Sequence, residues 1–322
     1  MNKFILKALL YDHKLHANLY TLKQYFLLSR GDFWSIFMSS AGSMLDEPAS
    51  RLRKYELDAL MTSAVAPSTH EMFDRVYVRL LSDNFVTDSK IIGWDAFSLN
   101  YAVDPPLSVV ISKMHIEQYQ ILFAFIFRVN QIDYKLAKNW QFQTNLEHLL
   151  QKMSLHENNL RKISLIRQKM LHFIQNLQSY LQFEVLDAAW KKLVQDLSEA
   201  ASLSDLIIAH ESYLANLLPK GIEKFNSVFV CISRFCEHCQ VEFNMLQKNL
   251  FAIEAFRRAS EDRIARGQWG LDMNQEETPL KEIDVRSVER DALEFESDVR
   301  IFLSDCELRS LVFRLQFNGY YS

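Results

Sequence analysis

The clearest pattern in the chain is a pair of hydrophobic runs whose members alternate at spacings of four and three residues. Such a heptad pattern is typical of a helix that packs along one continuous seam. The first run consists of Phe225, Phe229, Ile232, Cys236, Cys239, Phe243, Leu246, Leu250 and Ile253, and the second of Val288, Ala292, Phe295, Val299, Phe302 and Cys306. Residues 259–286 carry glycines, a proline and several charges, so we predict a long exposed connection. The two helices are predicted to pack antiparallel across it.

The start of the chain is also predicted to be helical, because hydrophobic residues recur at helical spacing through residues 4–38. The sequence Ser-Arg-Gly-Asp at residues 29–32 interrupts this pattern. Because aspartate is a favoured N-cap, we predict that Asp32 caps a helix that begins at Phe33. Residues 39–50 contain a glycine and a proline, and we predict that they form a loop.

A different periodicity is found at residues 97–103, where large hydrophobic side chains alternate with polar or small ones. Period 2 is typical of a half-buried strand, so we predict a strand here. The sequence Asp-Pro-Pro at residues 104–106 ends it, and residues 107–111 predict a second short extended piece. Ser112 is a favoured N-cap and predicts the start of a long aromatic helix.

Two further helices are indicated in the second half of the chain. Hydrophobic residues at helical spacing mark one of them within residues 170–181. The other follows Ser202-x-x-Asp205, which resembles a capping box in which Asp replaces the usual Glu. His210 lies on the hydrophobic stripe of this helix, so we interpret it as a core histidine with satisfied hydrogen bonds.

These elements predict a mainly α protein built of elongated helical bundles, with one short extended or β segment near residues 97–111. We predict an N-terminal bundle with the extended insert at residues 1–150 and a C-terminal bundle with the long antiparallel helices at residues 151–322. One continuous domain is the alternative, because 322 residues suit one large domain or two closely packed ones.

Composition and charge narrow the range of partners. Hydrophobic residues make up 49% of the chain and aromatic residues 12%, which is enough for a sizeable core. Lys and Arg number 36 against 40 Asp and Glu, so the chain lacks the basic excess of most nucleic-acid binders. The longest strongly apolar run, residues 121–127, is far shorter than the roughly 20 residues that cross a bilayer. We therefore predict no nucleic-acid partner and no membrane insertion. Four cysteines and no signal-peptide pattern predict a cytosolic protein.

The strongest candidate for metal chemistry is the cluster of Cys231, Cys236, His238 and Cys239. Zinc needs three or four such ligands that converge on one point. Cys236 and Cys239 occupy seam positions, and the helix from Cys231 to Cys239 spans about 12 Å. We therefore expect no metal, and the alternative is a metal-dependent enzyme built on this cluster. The seven glycines form no phosphate-binding loop, and we expect no cofactor and no catalytic residue.

Five segments resemble, in chain order, sequences that recur in one protein family. In the first half of the chain, residues 22–33 (LKQYFLLSRGDF) are similar to LKRYFLLxxGDF, and residues 99–112 (LNYAVDPPLSVVIS) are similar to LxYxVxWPLSLVIS. In the second half, residues 170–186 (MLHFIQNLQSYLQFEVL) are similar to MxHFVxNLxxYxxxEVL, and residues 203–214 (LSDLIIAHESYL) are similar to LDDLIxxHxxYL. At the end of the chain, residues 313–321 (FRLQFNGYY) are similar to LRLDFNxFY. The family is that of the gamma-tubulin complex components, also called spindle pole body components. The chain departs from it at Pro105, where the family has Trp, and at Gln316, where it has Asp.

The resemblance implies a non-catalytic helical-bundle domain that holds gamma-tubulin. In this family, subunits that stand side by side present gamma-tubulins as a template for a new microtubule, and lateral contacts come mostly from an N-terminal half. The chain begins where that half would end, so we expect a fragment or a shortened protein. The implied partners are gamma-tubulin and other gamma-tubulin complex components, at a cytoplasmic microtubule-organising centre such as a centrosome or spindle pole. A helical scaffold or adaptor with another protein partner is the alternative.

The family-like loops supply the candidate contacts with gamma-tubulin. They are Arg30, Asp32, Phe33, Pro106, Leu107, Gln316, Phe317, Asn318 and Tyr320. Phe33, Leu107 and Phe317 are also typical core residues. Asp32 is also a typical helix cap. The residues alone therefore leave a purely structural role open for these four.

Overall fold

The structure is a computed structural model that describes residues 6–65, 73–80, 91–217, 225–267, 279–305 and 309–316. Helices dominate these residues, which confirms the predicted mainly α class. The chain forms two compact units, each made of two stretches of sequence. The first unit holds residues 1–131 and 177–220, and the second unit holds residues 132–176 and 221–322. These units describe packing within the chain; the division into domains at residue 150 stays a prediction.

Helices of very different lengths alternate with short turns and one pair of strands. In chain order they are α1 (Leu15–Phe26), α2 (Gly31–Leu45), α3 (Lys54–Ala64), β1 (Val76–Leu80), α4 (Gly93–Ala96), β2 (Phe97–Tyr101), α5 (Lys113–Lys152), α6 (Asn159–Ser179), α7 (Asp187–Glu199), α8 (Leu203–Leu217), α9 (Phe225–Ala265), α10 (Arg286–Asp305) and α11 (Arg309–Gln316). Single π-helical segments lie at Ala8–Asp12 and Tyr180–Leu186, and 3-10 turns lie at Ala49–Arg51, Phe73–Arg75 and Leu107–Val109. Within the described ranges, no helix is both long enough and apolar enough to cross a membrane.

The core of the first unit is rich in aromatic side chains. The ring centroids of Phe97 and Phe127 lie 5.2 Å apart, and those of Phe123 and Phe127 lie 5.1 Å apart. Trp34 of α2 joins the cluster, with its ring centroid 5.8 Å from that of Phe123. Each aromatic pair at such distances adds about 0.5–1.5 kcal/mol beyond the area it buries. These contacts fasten α5 to both α2 and β2.

The strand predicted from the alternating pattern is present, but it ends at Tyr101 and has a partner that the sequence did not reveal. β2 pairs antiparallel with β1, with Val78 opposite Leu99. On the outer edge of β1, Val78 N donates to Asp58 Oδ1 at 2.9 Å. On the outer edge of β2, Leu99 O accepts from Gln120 Nε2 at 2.8 Å. Such side-chain contacts discourage pairing with a further strand.

The prediction of a second extended piece at residues 107–111 is wrong. Residues Leu107–Val109 form a 3-10 turn, in which Val110 N and Ile111 N donate to Leu107 O at 3.0 and 2.8 Å. Leu107, Val110 and Ile111 are all buried. Spacings of three and four place side chains on one face of a helical turn, whereas a strand would alternate them.

The predicted start of α2 is also wrong. The helix begins at Gly31 and not at Phe33, and Asp32 lies in its first turn instead of capping it. The Asp32 carboxylate contacts the Arg30 guanidinium, with Oδ1 and Nε 3.1 Å apart. An acidic side chain in the first turn is also favoured by the helix dipole, so this position suits Asp32 without a cap.

The predicted loop at residues 39–50 is mostly helical. α2 continues to Leu45 because Ala41, Gly42 and Leu45 extend its buried face. The chain leaves the helix after Leu45, and the proline of this segment then precedes a 3-10 turn. A single glycine in a helix costs about 1 kcal/mol, which the buried contacts of this face offset.

Both N-caps predicted for later helices are confirmed. At the start of α5, Ser112 Oγ accepts from His115 N at 3.4 Å. Before α8, Ser202 Oγ accepts from Asp205 N at 3.2 Å, and Ser202 N donates to Asp205 Oδ2 at 2.8 Å. The second arrangement is a reciprocal capping box with aspartate in the place of glutamate.

The second unit is organised around α9 and α10, whose antiparallel packing confirms the predicted seam. Every position of the first hydrophobic run is buried. At one end of the pair, the ring centroids of Phe225 and Phe302 lie 4.6 Å apart. At the other end, Asp284 N donates to Glu242 Oε2 at 3.1 Å. Cys306, the last position of the second run, lies outside the described residues.

The predicted connection at residues 259–286 is partly helical, because α9 continues to Ala265. Where the described part resumes, Asn249 of α9 fastens the chain. Its amide nitrogen donates to Pro279 O at 3.2 Å, and its amide oxygen accepts from Lys281 N at 3.0 Å. These two hydrogen bonds from a buried asparagine thus fix the segment that leads into α10.

Candidate partner-binding surface

The junction between α1 and α2 holds the first group of candidate contact residues. Arg30 Nε lies 3.1 Å from Asp32 Oδ1, and Arg30 Nη1 donates to Tyr25 OH at 3.4 Å. Only 9% of the Arg30 side chain is exposed, against 63% of the Asp32 side chain. The hydrogen bond from Arg30 lowers the pKa of the Asp32 carboxyl, which is therefore ionised at neutral pH. The junction presents a fixed negative charge to solvent.

Phe33, the third candidate in this junction, lies beneath the surface. Its side chain is fully buried, and its ring centroid lies 5.0 Å from that of Tyr25. A side chain without exposed area touches no partner in this conformation. The role that this position allows Phe33 is to hold Tyr25 and, through the Tyr25 hydroxyl, Arg30.

The second group of candidates follows β2, where a loop is held by a network of polar side chains. Asp104 Oδ2 lies 3.2 Å from Arg75 Nη2, and Arg75 Nη1 donates to Asn18 Oδ1 at 3.3 Å. Asn18 Oδ1 also accepts from Tyr101 OH at 2.7 Å. Burial raises the pKa of Tyr101, so its hydroxyl keeps the proton that it donates. The Asp104 side chain is 71% exposed and again presents a held negative charge.

Pro106 and Leu107 continue from this loop and have different surroundings. The bond between Pro105 and Pro106 is cis. Pro105 is exposed and Pro106 is half-buried, whereas Leu107 is only 2% exposed. Pro106 is therefore available to a partner, and Leu107 anchors the turn in the core.

The 3-10 turn Phe73–Arg75 links the two groups. The ring centroid of Phe73 lies 5.1 Å from that of Tyr25, while Arg75 bonds to Asn18. Asn18 and Tyr25 lie on one side of α1, about 10 Å apart along its axis. The structure thus brings both groups to one side of α1. We call the resulting surface the contact face, and it consists of Arg30, Asp32, Arg75, Asp104, Pro105 and Pro106.

The remaining candidates belong to the end of the chain. Gln316 is exposed at the last residue of α11, in the second unit. Phe317, Asn318 and Tyr320 lie outside the described residues. A contact role for these four residues stays a prediction.

The cysteine cluster lies on α9 of the second unit, with Cys236 and Cys239 at seam positions. Cys231, Cys236 and Cys239 are free thiols and all are buried. Burial raises the pKa of Cys236 to about 12, so this thiol stays protonated at neutral pH. His238 contacts a different element, with its Nδ1 2.5 Å from Asp291 Oδ2. In the part of the chain that the structure describes, no three metal-binding side chains come together to hold an ion.

Comparison with known proteins tests the resemblance on which these candidates rest. A family model described as "Gamma tubulin complex component C-terminal" matches residues 15–321. The chain belongs to the gamma-tubulin complex component family. The match covers the segments that carry the sequence resemblance and confirms it.

Individual relatives agree with the family match. The chain is 30% identical over 326 residues to spindle pole body component 98 of Dictyostelium discoideum, which covers 98% of this chain and 40% of that protein. It is 27% identical over 350 residues to the gamma-tubulin complex component 3 homolog of Xenopus laevis, which covers 99% of this chain and 38% of that protein. The chain therefore spans about two fifths of the length of these relatives.

Proposed function

We propose that the chain binds gamma-tubulin, without catalysis, as part of a gamma-tubulin complex that supports microtubule nucleation. The proposed partners are gamma-tubulin and other gamma-tubulin complex components. The proposed location is a microtubule-organising centre in the cytoplasm, either a centrosome or a spindle pole. The observation that carries this proposal is the family match across residues 15–321, together with relatives that are named as gamma-tubulin complex components.

We propose further that the contact face makes the contact. Asp32 and Asp104 present exposed carboxylates that Arg30 and Arg75 already hold in place. Groups that are held before binding lose little conformational freedom when a partner arrives. Basic groups on gamma-tubulin would complement these carboxylates, and Pro106 would add apolar contact.

The other predicted contacts take different roles in this proposal. Phe33 and Leu107 act from the core, by holding the junction and the turn that carry the exposed residues. Gln316, and Phe317 to Tyr320 after it, remain candidates for a separate contact.

Co-elution of the purified chain with purified gamma-tubulin tests the proposed function. The chain is expected to bind at micromolar concentration. Asp32→Lys is expected to weaken binding about tenfold, because a reversed charge then faces the basic groups of the partner. The control is Glu47→Lys, which makes the same change at a side chain that is 51% exposed and outside the contact face. This control is expected to bind like the unchanged chain.

Two outcomes would contradict the proposal. If the folded chain binds no gamma-tubulin at micromolar concentration, the proposed function fails. If the chain recovers another protein and no tubulin, the alternative of a helical scaffold or adaptor is favoured. Equal weakening by the two lysine variants would leave the function intact and move the contact away from Asp32.

A further inference from the structure

One buried backbone carbonyl, four residues after Pro106 of the contact face, lies within hydrogen-bonding distance of two buried histidines from two different helices. Val110 O lies 3.0 Å from Nδ1 of His115, on α5, and 3.1 Å from Nδ1 of His210, on α8. The centroids of the two imidazole rings are 4.7 Å apart. Val110 and His210 have no exposed area, and His115 is 4% exposed. A buried carbonyl needs a hydrogen-bond donor, and these rings supply it.

His210 has both ring nitrogens in hydrogen bonds, which confirms the prediction of a satisfied core histidine. Nδ1 contacts Val110 O, and Nε2 lies 3.1 Å from Tyr119 OH. Burial lowers the pKa of His210 to about 4, so the ring is neutral at pH 7. A neutral ring that donates from Nδ1 to the carbonyl accepts at Nε2 from the tyrosine hydroxyl.

His115 joins the same carbonyl to the start of α5. Its Nδ1 lies 3.2 Å from Ser112 N as well as 3.0 Å from Val110 O, so it accepts from the first or donates to the second according to its tautomer. Its Nε2 lies 4.0 Å from Glu211 Oε1 on α8. Either tautomer ties the segment before α5 to the core.

The carbonyl of Val110 belongs to the turn that carries Pro106. Val109 N donates to Pro106 O at 3.2 Å, and Val110 N donates to Leu107 O at 3.0 Å. One short helical turn thus connects the half-buried proline of the contact face to the carbonyl that the histidines hold. A shift of Val110 moves Pro106 with it, because the bonds of the turn make it one unit.

We propose that His210 is a positioning residue that holds the Val110 carbonyl, joined by His115 in the tautomer that donates from Nδ1, and so fixes Pro106 and its turn for binding to gamma-tubulin. The proposal rests on the proposed function. It also gives a physical reason why two separate family-like segments, residues 99–112 and residues 203–214, occur together in one chain. The second segment supplies the side chain that holds the backbone of the first.

Substitutions that retain one nitrogen at a time test the proposal. In His210→Asn, the side-chain amide takes the place of Nδ1 and retains the bond to Val110 O. In His210→Gln, the longer amide takes the place of Nε2 and retains only the contact with Tyr119. We expect His210→Asn to bind gamma-tubulin within about twofold of the unchanged chain and His210→Gln to bind about tenfold more weakly.

Amide hydrogen exchange of residues 107–111 provides a readout that does not depend on gamma-tubulin. Exchange in this turn is expected to be faster in His210→Gln and unchanged in His210→Asn. Tyr119→Phe is the control, since it removes the other hydrogen bond of His210 and leaves Val110 O held. Its turn is expected to exchange like that of the unchanged chain.

Several outcomes would overturn the inference. Asn and Gln variants that behave alike in exchange would show that the Nδ1 bond does not hold the turn. Different exchange with equal binding would show that the turn does not contribute to the contact. If the unchanged chain binds no gamma-tubulin, the proposed function fails, while the exchange comparison still decides whether the histidines hold the turn.

Discussion

The seam of the second unit and the contact face of the first unit place carboxylates in opposite surroundings. In the seam, Asp291 is completely buried, with Oδ1 2.8 Å from Arg234 Nε and Oδ2 2.5 Å from His238 Nδ1. In the contact face, Asp32 and Asp104 are 63% and 71% exposed, although each is also paired with an arginine. Removing a buried carboxylate from its partners is costly, whereas a pair whose carboxylate is mostly exposed contributes little to stability.

The pairing of a carboxylate with an arginine thus has two different uses in this chain. The pair in the seam holds α9 against α10 through a carboxylate that is completely buried. The pairs in the contact face leave a mostly exposed carboxylate that an arginine holds in place. Substitutions in the seam are therefore expected to change the free energy of unfolding, and substitutions in the contact face to change binding.

The largest effect is expected from the hydrophobic side of the seam. Phe243→Ala is expected to lower the free energy of unfolding by about 4 kcal/mol, because a fully buried ring is lost and a cavity is left. Phe251→Ala, on the same helix, is expected to change it by less than about 0.5 kcal/mol, because Phe251 is 52% exposed. Urea denaturation measures both variants. Equal losses would contradict the assignment of the buried face of α9.

The buried carboxylate is expected to give the next largest effect. Asp291→Ala is expected to cost about 3 kcal/mol, because Arg234 and His238 lose the charge that they surround. Glu294→Ala removes a carboxylate on the same helix that contacts the same arginine but is 49% exposed, and is expected to cost less than about 1 kcal/mol. Urea denaturation at one pH compares them. If Glu294→Ala costs as much as Asp291→Ala, burial is not what distinguishes the two regions.

The two regions also differ in how far the sequence predicts them. The seam is encoded locally, since each of its positions is three or four residues from the next, and the spacing itself reports which side is buried. The polar network of the contact face is not encoded in this way. The bond from Arg75 to Asn18 joins residues that are 57 positions apart, and no motif surrounds Arg75. The motifs indicated Arg30, Asp32 and Pro106 only because a family resembles this chain there.

β1 and the burial of two candidate residues both depend on contacts between residues that are distant in sequence. The sequence does not predict β1, because an alternation of five residues carries little signal without its partner strand, which lies later in the chain. The motifs leave open whether Phe33 and Leu107 are contact or core residues, because a hydrophobic residue in a motif suits both roles equally well. Only the packing around them, which involves residues distant in sequence, places both in the core.

The buried His210 of the first unit predicts a dependence of stability on pH. The pKa of His210 falls from 6.5 to about 4 on folding, mainly because burial disfavours its charged form. The contribution of His210 to the free energy of unfolding is therefore complete above pH 6.5. It is lost as pH falls towards 4, since the unfolded chain takes up the proton first. The expected contribution is about 2 kcal/mol between pH 7 and pH 5.

Comparison with a variant isolates this contribution from that of other groups. The His210→Asn side chain cannot take up the proton. Between pH 7 and pH 5, the free energy of unfolding of this variant is therefore expected to fall by about 2 kcal/mol less than that of the unchanged chain. Urea denaturation of both chains at the two pH values measures the difference. Parallel losses would show that His210 is not buried in its neutral form.

The two substitutions with the smallest expected change in stability compare the two regions most directly. Asp104→Asn and Glu294→Gln each remove one exposed charge that faces an arginine, so each is expected to change the free energy of unfolding by less than about 0.5 kcal/mol. Arg75 keeps its bond to Asn18 in the first variant, so the loop stays in place. Asp104→Asn is nevertheless expected to weaken gamma-tubulin binding about threefold, and Glu294→Gln to leave it unchanged. Titration of labelled gamma-tubulin measures both affinities.

If Asp104→Asn binds normally while Asp32→Lys does not, the contact is confined to the junction of α1 and α2. If both variants bind normally, an exposed carboxylate that an arginine holds in place does not by itself mark a binding surface.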